Sequence, residues 1–196
     1  NLPAAINPKA ILPLDRNVDG RSHLAVANYR SNSVIILREI GKDSVGTAIS
    51  IATAANPTGI AAADFDGDGR MDLGITSEGS DIVQVFMGNS SQSFDPPQDY
   101  MVGRSPSMIV AGDFDGDGWV DLAVTNRKSN SVSMLKGRGD GTFGTAVAFG
   151  VGSEVYDLAV ADLNGDGADD IITSNAGSNS LSILYSRASR SPKLVK

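Results

Sequence analysis

The stretch Asp64-Phe-Asp-Gly-Asp-Gly-Arg-Met-Asp72 returns as Asp113-Phe-Asp-Gly-Asp-Gly-Trp-Val-Asp121 and again as Asp162-Leu-Asn-Gly-Asp-Gly-Ala-Asp-Asp170, each copy 49 residues after the last. A weaker copy, Asp15-Arg-Asn-Val-Asp-Gly-Arg-Ser-His23, lies one further period upstream. A constant period of this length is the mark of a solenoid or propeller, in which each repeat is one small unit that buries its apolar face against its neighbours. The 196 residues hold four periods, so a single repeat array over 1–196 is expected. Its units fall at approximately 8–56, 57–105, 106–154 and 155–196, after an N-terminal 1–7.

Carboxylates at loop positions 1, 3, 5 and 9, with glycine at position 6, gather hard oxygens around one small volume. Like-charge repulsion opposes that arrangement unless a cation sits among them. All-oxygen ligation with this charge suits calcium better than magnesium, which keeps more of its water, or zinc, which prefers nitrogen and sulfur. The EF-hand version fails, because its bidentate glutamate at position 12 is here Ile75, Val124 or Thr173. The competing reading is plain turn chemistry, since Asp side chains cap local backbone and glycine accepts positive φ.

Around each loop the apolar residues come in runs too short for helices and bounded by turn residues, which reads as strands. The first run, Ile11–Leu14, Ile60–Ala63, Ile109–Gly112 or Leu158–Ala161, is rich in Ala and Gly in its later copies, as suits a crowded axis. The second follows the loop, from His23, Asp72, Asp121 or Asp170. Polar turns at Ser31-Asn32, Ser80-Asp81, Ser129-Asn130 and Ser178-Asn179 lead to a third, alternating run beginning at Val34, Val83, Val132 or Leu181. A looser fourth segment, such as Gln98–Val102 or Ala146–Phe149, precedes Pro8, Pro57 and Pro106. The expected fold is therefore all-β, four four-stranded antiparallel repeats forming β-propeller blades.

A strand, Asp-x-Asp-Gly-Asp-Gly-x-x-Asp, Leu-Ala-Val-Thr-Asn, and a third strand running into Gly137-Arg-Gly-Asp-Gly-Thr-Phe143 together resemble the FG-GAP/VCBS repeat of integrin-alpha-like propellers. The resemblance covers the whole chain and implies a site built from side chains 1, 3, 5 and 9 and the backbone carbonyl of position 7. The implied ligands are Asp64, Asp66, Asp68, the Arg70 carbonyl and Asp72; Asp113, Asp115, Asp117, the Trp119 carbonyl and Asp121; and Asp162, Asn164, Asp166, the Ala168 carbonyl and Asp170. Repeat one departs from the pattern, with Arg16, Val18 and His23, which disfavours a fourth site at Asp15, Asn17 and Asp19 but not the blade. About three calcium ions are expected, with a structural role.

Composition narrows the function. There is no cysteine, so thiolate chemistry and disulfides are absent. The net charge is -7, with about half of the 23 acidic residues in the last three loops, so three divalent ions would bring the chain near neutrality. Nothing here offers the basic face that nucleic acid needs. No apolar run is long enough to span a bilayer, and no leader-like segment opens the chain, which reads as a mature or trimmed form.

The lone His23 reads as a strand-start residue, and no nucleophile elbow accompanies it, so no catalytic residue is expected. Arg138-Gly139-Asp140 reads as turn chemistry, Asn89-Ser90-Ser91 as a sequon on an exposed turn, Trp119 as an incidental loop aromatic, and Arg187, Arg190, Lys193 and Lys196 as a frayed end. What the resemblance implies is an extracellular or cell-surface, calcium-stabilised module binding a protein or carbohydrate. A non-catalytic part of a secreted polysaccharide-acting enzyme and a pure scaffold are the alternatives. Three assemblies stay open: part of a larger propeller, a four-bladed ring, or self-association of two chains into an eight-bladed ring.

Overall fold

The structure is a computed structural model and describes residues 7–14, 22–40, 46–91, 93–187 and 190–195. Its strands, in chain order, are β1 (Pro8–Leu14), β2 (Ser22–Asn28), β3 (Ser33–Ile40), β4 (Ala48–Ala52), β5 (Pro57–Ala63), β6 (Asp72–Ser77), β7 (Ile82–Phe86) and β8 (Gln98–Met101). They continue as β9 (Pro106–Gly112), β10 (Asp121–Asn126), β11 (Ser131–Leu135), β12 (Val147–Gly150), β13 (Val155–Ala161), β14 (Asp170–Asn175), β15 (Ser180–Arg187) and β16 (Arg190–Val195). Each successive four form one antiparallel sheet in sequence order, giving the four blades that the repeat predicts. The only helix among the described residues is a three-residue 3-10 turn, Ala176–Ser178, and none is long and apolar enough to cross a membrane.

The polar turns between the second and third strands are set by local conformation. Asn32, Asp81, Asn130 and Asn179 all take positive φ, which Asn and Asp tolerate best among residues with a side chain. A second set, Asn7, Asn56, Ser105 and Glu154, shares that conformation just before the first strand of each blade. At Asn56, Ser105 and Glu154 the chain leaves one blade for the next, and the requirement is met even by Ser and Glu.

Strand one begins three residues before the apolar run that announces it, at Pro8, Pro57, Pro106 and Val155. The prolines are tolerated because each is the first residue of its strand, beside a register shift, where the missing N–H breaks no ladder. The basic tail is not frayed as expected. Arg190–Val195 pairs antiparallel with β15 and completes the fourth blade, while Lys196 lies outside the described residues.

Period-two alternation gives every blade two apolar faces, and three cores lie between successive blades. Val34 and Ile36 of the first blade meet Ile60, Leu73 and Ile75 of the second. Val83 and Val85 then meet Ile109, Leu122 and Val124, and Val132 and Met134 meet Leu158, Ile171 and Leu184. First strands run against one another across these junctions, β1 on β5, β5 on β9 and β9 on β13. The approach is close: a Cβ on Gly59 would lie 2.7 Å from the Ser107 carbonyl oxygen of the next blade, so a side chain there would force the blades apart.

The fourth blade shows what this stacking does. Leu181 and Leu163 stand where the third blade has Val132 and Phe114, yet they are 71% and 47% exposed against 0% for both counterparts. Val132→Ala is therefore expected to cost about 2 kcal/mol in urea unfolding, whereas Leu181→Ala changes stability by less than about 0.5 kcal/mol. Equal costs at the two positions would contradict this burial pattern.

Candidate metal centres

Each acidic loop closes the hairpin between the first and second strands of its blade. In the second blade Ala63 pairs directly with Asp72, in the third Gly112 with Asp121, and in the fourth Ala161 with Asp170. Positions 4 and 6 are glycines at positive φ in all three, Gly67 and Gly69, Gly116 and Gly118, Gly165 and Gly167. No atom lies within 4 Å of a Cβ built at Gly67, Gly69, Gly118, Gly165 or Gly167, so conformation rather than space demands glycine there. The first loop, with Asp15, Asn17 and Asp19, lies outside the described residues.

The left-handed glycines turn successive N–H groups inward. Asp64 Oδ1 accepts from the N–H of Gly67 and Asp68 (2.8 and 3.2 Å) and Oδ2 from Gly69 (2.8 Å). Asp113 and Asp162 repeat this pattern with Gly116, Asp117 and Gly118, and with Gly165, Asp166 and Gly167. Position 3 accepts from the N–H of position 5, and position 5 from that of position 7, in all three loops. Turn chemistry is thus present, and it orients carboxylates whose remaining lone pairs are available to a ligand.

Position 9 ties the loop to the sheet. Buried Asp72 accepts from Phe65 N–H at 2.8 Å and, across two strands, from Gly88 N–H at 2.7 Å. Asp121 does the same with Phe114 and Gly137, and Asp170 with Leu163 and Ser186. One carboxylate therefore joins the loop, the start of strand two and the end of strand three.

Electrostatically the loops are under tension. Burial pushes Asp72 up to about 6 against the pull of the Gly88 and Phe65 N–H groups, and the charges of Asp66 and Asp68 push the same way. Asp121 is likewise raised to about 6, by burial and by Asp115 and Asp117. At Asp64 burial opposes ionisation too, but the N–H groups of Gly69, Gly67 and Asp68 prevail and lower it. The N–H of Gly167 leads the groups that lower Asp162.

Asp64, Asp66 and Asp72 place ligand oxygens within 4.8 Å of one another, as do Asp113, Asp115 and Asp117, so both clusters fit a metal ion. Asp68 and Asp121 stand outside these triads, and Asp68 pairs with Arg70, whose Nε also donates to the Gly88 carbonyl at 2.9 Å. In the fourth loop Asn164 replaces a carboxylate, leaving Asp162, Asp166 and Asp170, and Ala168 is buried. Trp119 lies across Gly139, where a Cβ would come within 2.3 Å of the ring.

Two features escape sequence reading. Lys136, just after β11, reaches back to Asp115 and lies 2.8 Å from Asp117, supplying a positive charge to the third loop. A lysine after a strand reads as a solvated end, so no signal exposes it. The Gly137–Phe143 turn also packs on the preceding blade's loop: Gly141 N–H donates to the Phe65 carbonyl at 3.2 Å, and the Phe65 and Phe143 rings meet edge-on at 5.2 Å. In that turn Asp140 accepts from the N–H and hydroxyl of Thr142 (3.0 and 2.6 Å), which accounts for the Arg-Gly-Asp sequence as turn chemistry. Asn89, of the sequon, accepts from the N–H groups of Ser91 and Ser93 in the corresponding turn.

The sequence matches no curated protein. Among solved structures the fold is similar to BBS1N, crystallised in complex with ARL6DN, at 14% identity and a TM-score of 0.60, covering 91% of this chain and 51% of that one. It is also similar to a mutant of the Aleuria aurantia lectin AAL in complex with Fucalpha1-6GlcNAc, at 12% identity and a TM-score of 0.58, covering 95% and 60%. The chain thus spans a little over half the length of these propeller-like relatives. Residues 15–75 and 113–173 match the FG-GAP-like repeat, and the chain belongs to that family.

Proposed function

We propose that this chain is an extracellular, calcium-stabilised propeller module that binds a protein or glycan, in which the metal is structural and the chain carries no catalytic step. The observation that carries the metal reading is the convergence of acidic oxygens within 4.8 Å in two loops of the same register. The ligands are the side chains of Asp64, Asp66, Asp68 and Asp72, of Asp113, Asp115, Asp117 and Asp121, and of Asp162, Asn164, Asp166 and Asp170, with the carbonyls of Arg70, Trp119 and Ala168. A divalent ion there offsets the burial, and the smaller push of neighbouring carboxylates, that raise Asp72 and Asp121, and it links two strands of one blade. Weak oxygen sites of this kind fill where calcium is abundant, which favours an extracellular setting. Propeller-like relatives crystallised with a sugar and with a protein partner support a binding role without naming a ligand.

Removing calcium with EDTA is expected to lower the melting temperature and adding it back to restore it, each site contributing about 2.7 kcal/mol at a hundredfold excess over Kd. A melting curve indifferent to EDTA and calcium overturns the metal reading. The pH dependence has a definite sign. Asp72 and Asp121 are raised to about 6 in the cation-free fold, against roughly 4 when unfolded. The stability this represents is complete below about pH 4 and lost as pH rises through about 6. Calcium competes with those protons, so its stabilising effect grows between about pH 5 and 7.5. Differential scanning calorimetry across that range checks it, and a calcium increment that shrinks with pH counts against it.

Lys136 has Met87 as its counterpart in the second repeat. Because its ammonium holds Asp115 and Asp117, Lys136→Met is expected to raise calcium affinity at the third loop about tenfold in titration calorimetry. An unchanged isotherm would mean that the lysine does not compete for the site.

A further inference from the structure

The acidic loops follow the C-terminal ends of the first strands, and a different kind of site lies toward their N-terminal ends. A cleft of about 250 Å³ is lined there by Lys9, Thr58, Ser107 and Tyr156. Each is the second residue of its blade's first strand, so all four repeats contribute one side chain from the same register position. Glu78 and Arg127, themselves one period apart, come from the turns after β6 and β10, and Met108 and Asp157, each next to a strand residue already named, also line the wall.

Some of these groups are committed to the fold. Thr58 Oγ1 donates to the Pro106 carbonyl at 2.9 Å, and the Ser107 and Thr125 hydroxyls lie 2.9 Å apart. Glu78 Oε1 accepts from the Ser105 hydroxyl at 2.6 Å, and the carboxylate also bonds the Tyr29 hydroxyl. Burial disfavours the Glu78 charge, but the Ser105 and Tyr29 hydroxyls outweigh it and keep the carboxylate ionised. Lys9 sits over the Tyr29 ring, 5.3 Å from its centroid. Others are open: among the described residues, Arg127 and Tyr156 make no side-chain hydrogen bond or ion pair, and Tyr156 is 65% exposed.

We infer that this cleft binds a single neutral, polyhydroxylated ring, such as one monosaccharide unit of a glycan. Lys9 and Arg127 balance Glu78 and Asp157, so the cleft carries no net charge to favour an anion or a cation. An apolar ligand would bury the Arg127 guanidinium and the Tyr156 hydroxyl, the groups the fold leaves open, without partners, a cost that a ring bearing both donors and acceptors avoids. Tyr156 adds a flat apolar face with a polar edge, which suits the alternating faces of a pyranose. The volume falls just below the roughly 300–1,000 Å³ of drug-sized pockets, which suits one ring rather than a long segment. This inference rests on the reading of the chain as a binding module and deepens it, while being independent of the metal loops.

The test is ligand-observed NMR of the full chain with methyl glycosides of glucose, galactose, mannose, fucose and N-acetylglucosamine, alongside galacturonate and free lysine as charged probes. At least one neutral glycoside is expected to bind with Kd on the order of 1 mM. Tyr156→Ala and Arg127→Gln, both at exposed positions, should each weaken it at least tenfold with melting curves unchanged. Binding that survives both variants would overturn the cleft assignment and leave the binding-module reading intact. Binding only of the charged probes, or no binding of any glycoside, would overturn the ligand class. Neither result bears on the metal reading, which calcium-dependent melting decides separately.

Discussion

Crowding of like charge inside a nine-residue turn is the constraint on which the rest depends. Asp64 and its counterparts are held by inward-facing N–H groups, and Asp72 and its counterparts bridge the loop to two strands. That same arrangement forces acidic oxygens to within 4.8 Å of each other in two of the loops. Burial of the position-nine carboxylates adds to that crowding, and although backbone N–H groups offset part of the cost, Asp72 and Asp121 remain raised to about 6. Arg70 and Lys136 lean into the loops as partial counter-charges, which marks where a cation is wanted. The divalent ions proposed for the last three loops would relieve this and brace the hairpins that carry them.

The loops and the cores between blades are parts of one design. The loop fixes the start of the second strand, and period two then sends Leu73 and Ile75, or Leu122 and Val124, toward the preceding blade. The opposite face keeps Gly74 or Ala123 small, so the next blade can close in. The Gly137–Phe143 turn carries the coupling further, because it caps the loop of the preceding repeat through Phe65. A disturbance in one loop is therefore felt by two blades.

Much of this was legible because a repeat reports its own phase. Four aligned copies of a short apolar run are far more informative than one, and strand order, turn positions and the acidic loops all followed from that alignment. Strand starts at Pro8, Pro57 and Pro106 were not legible, since proline reads as a breaker until a register shift is known to accommodate it. The tail at Arg190–Val195 looked frayed because its basic residues carry no strand pattern, and pairing with β15 overrides that local preference. Lys136 and the polar cleft around Lys9 and Tyr156 depend on residues distant in sequence, so no local motif could show them.

The most direct measurement of the central claim is an experimental structure of the protein prepared in calcium. The account predicts one ion in each of the loops at Asp64–Asp72, Asp113–Asp121 and Asp162–Asp170, with oxygen ligands at about 2.3–2.6 Å. Density showing only water in those loops, with Lys136 still held between Asp115 and Asp117, would contradict it.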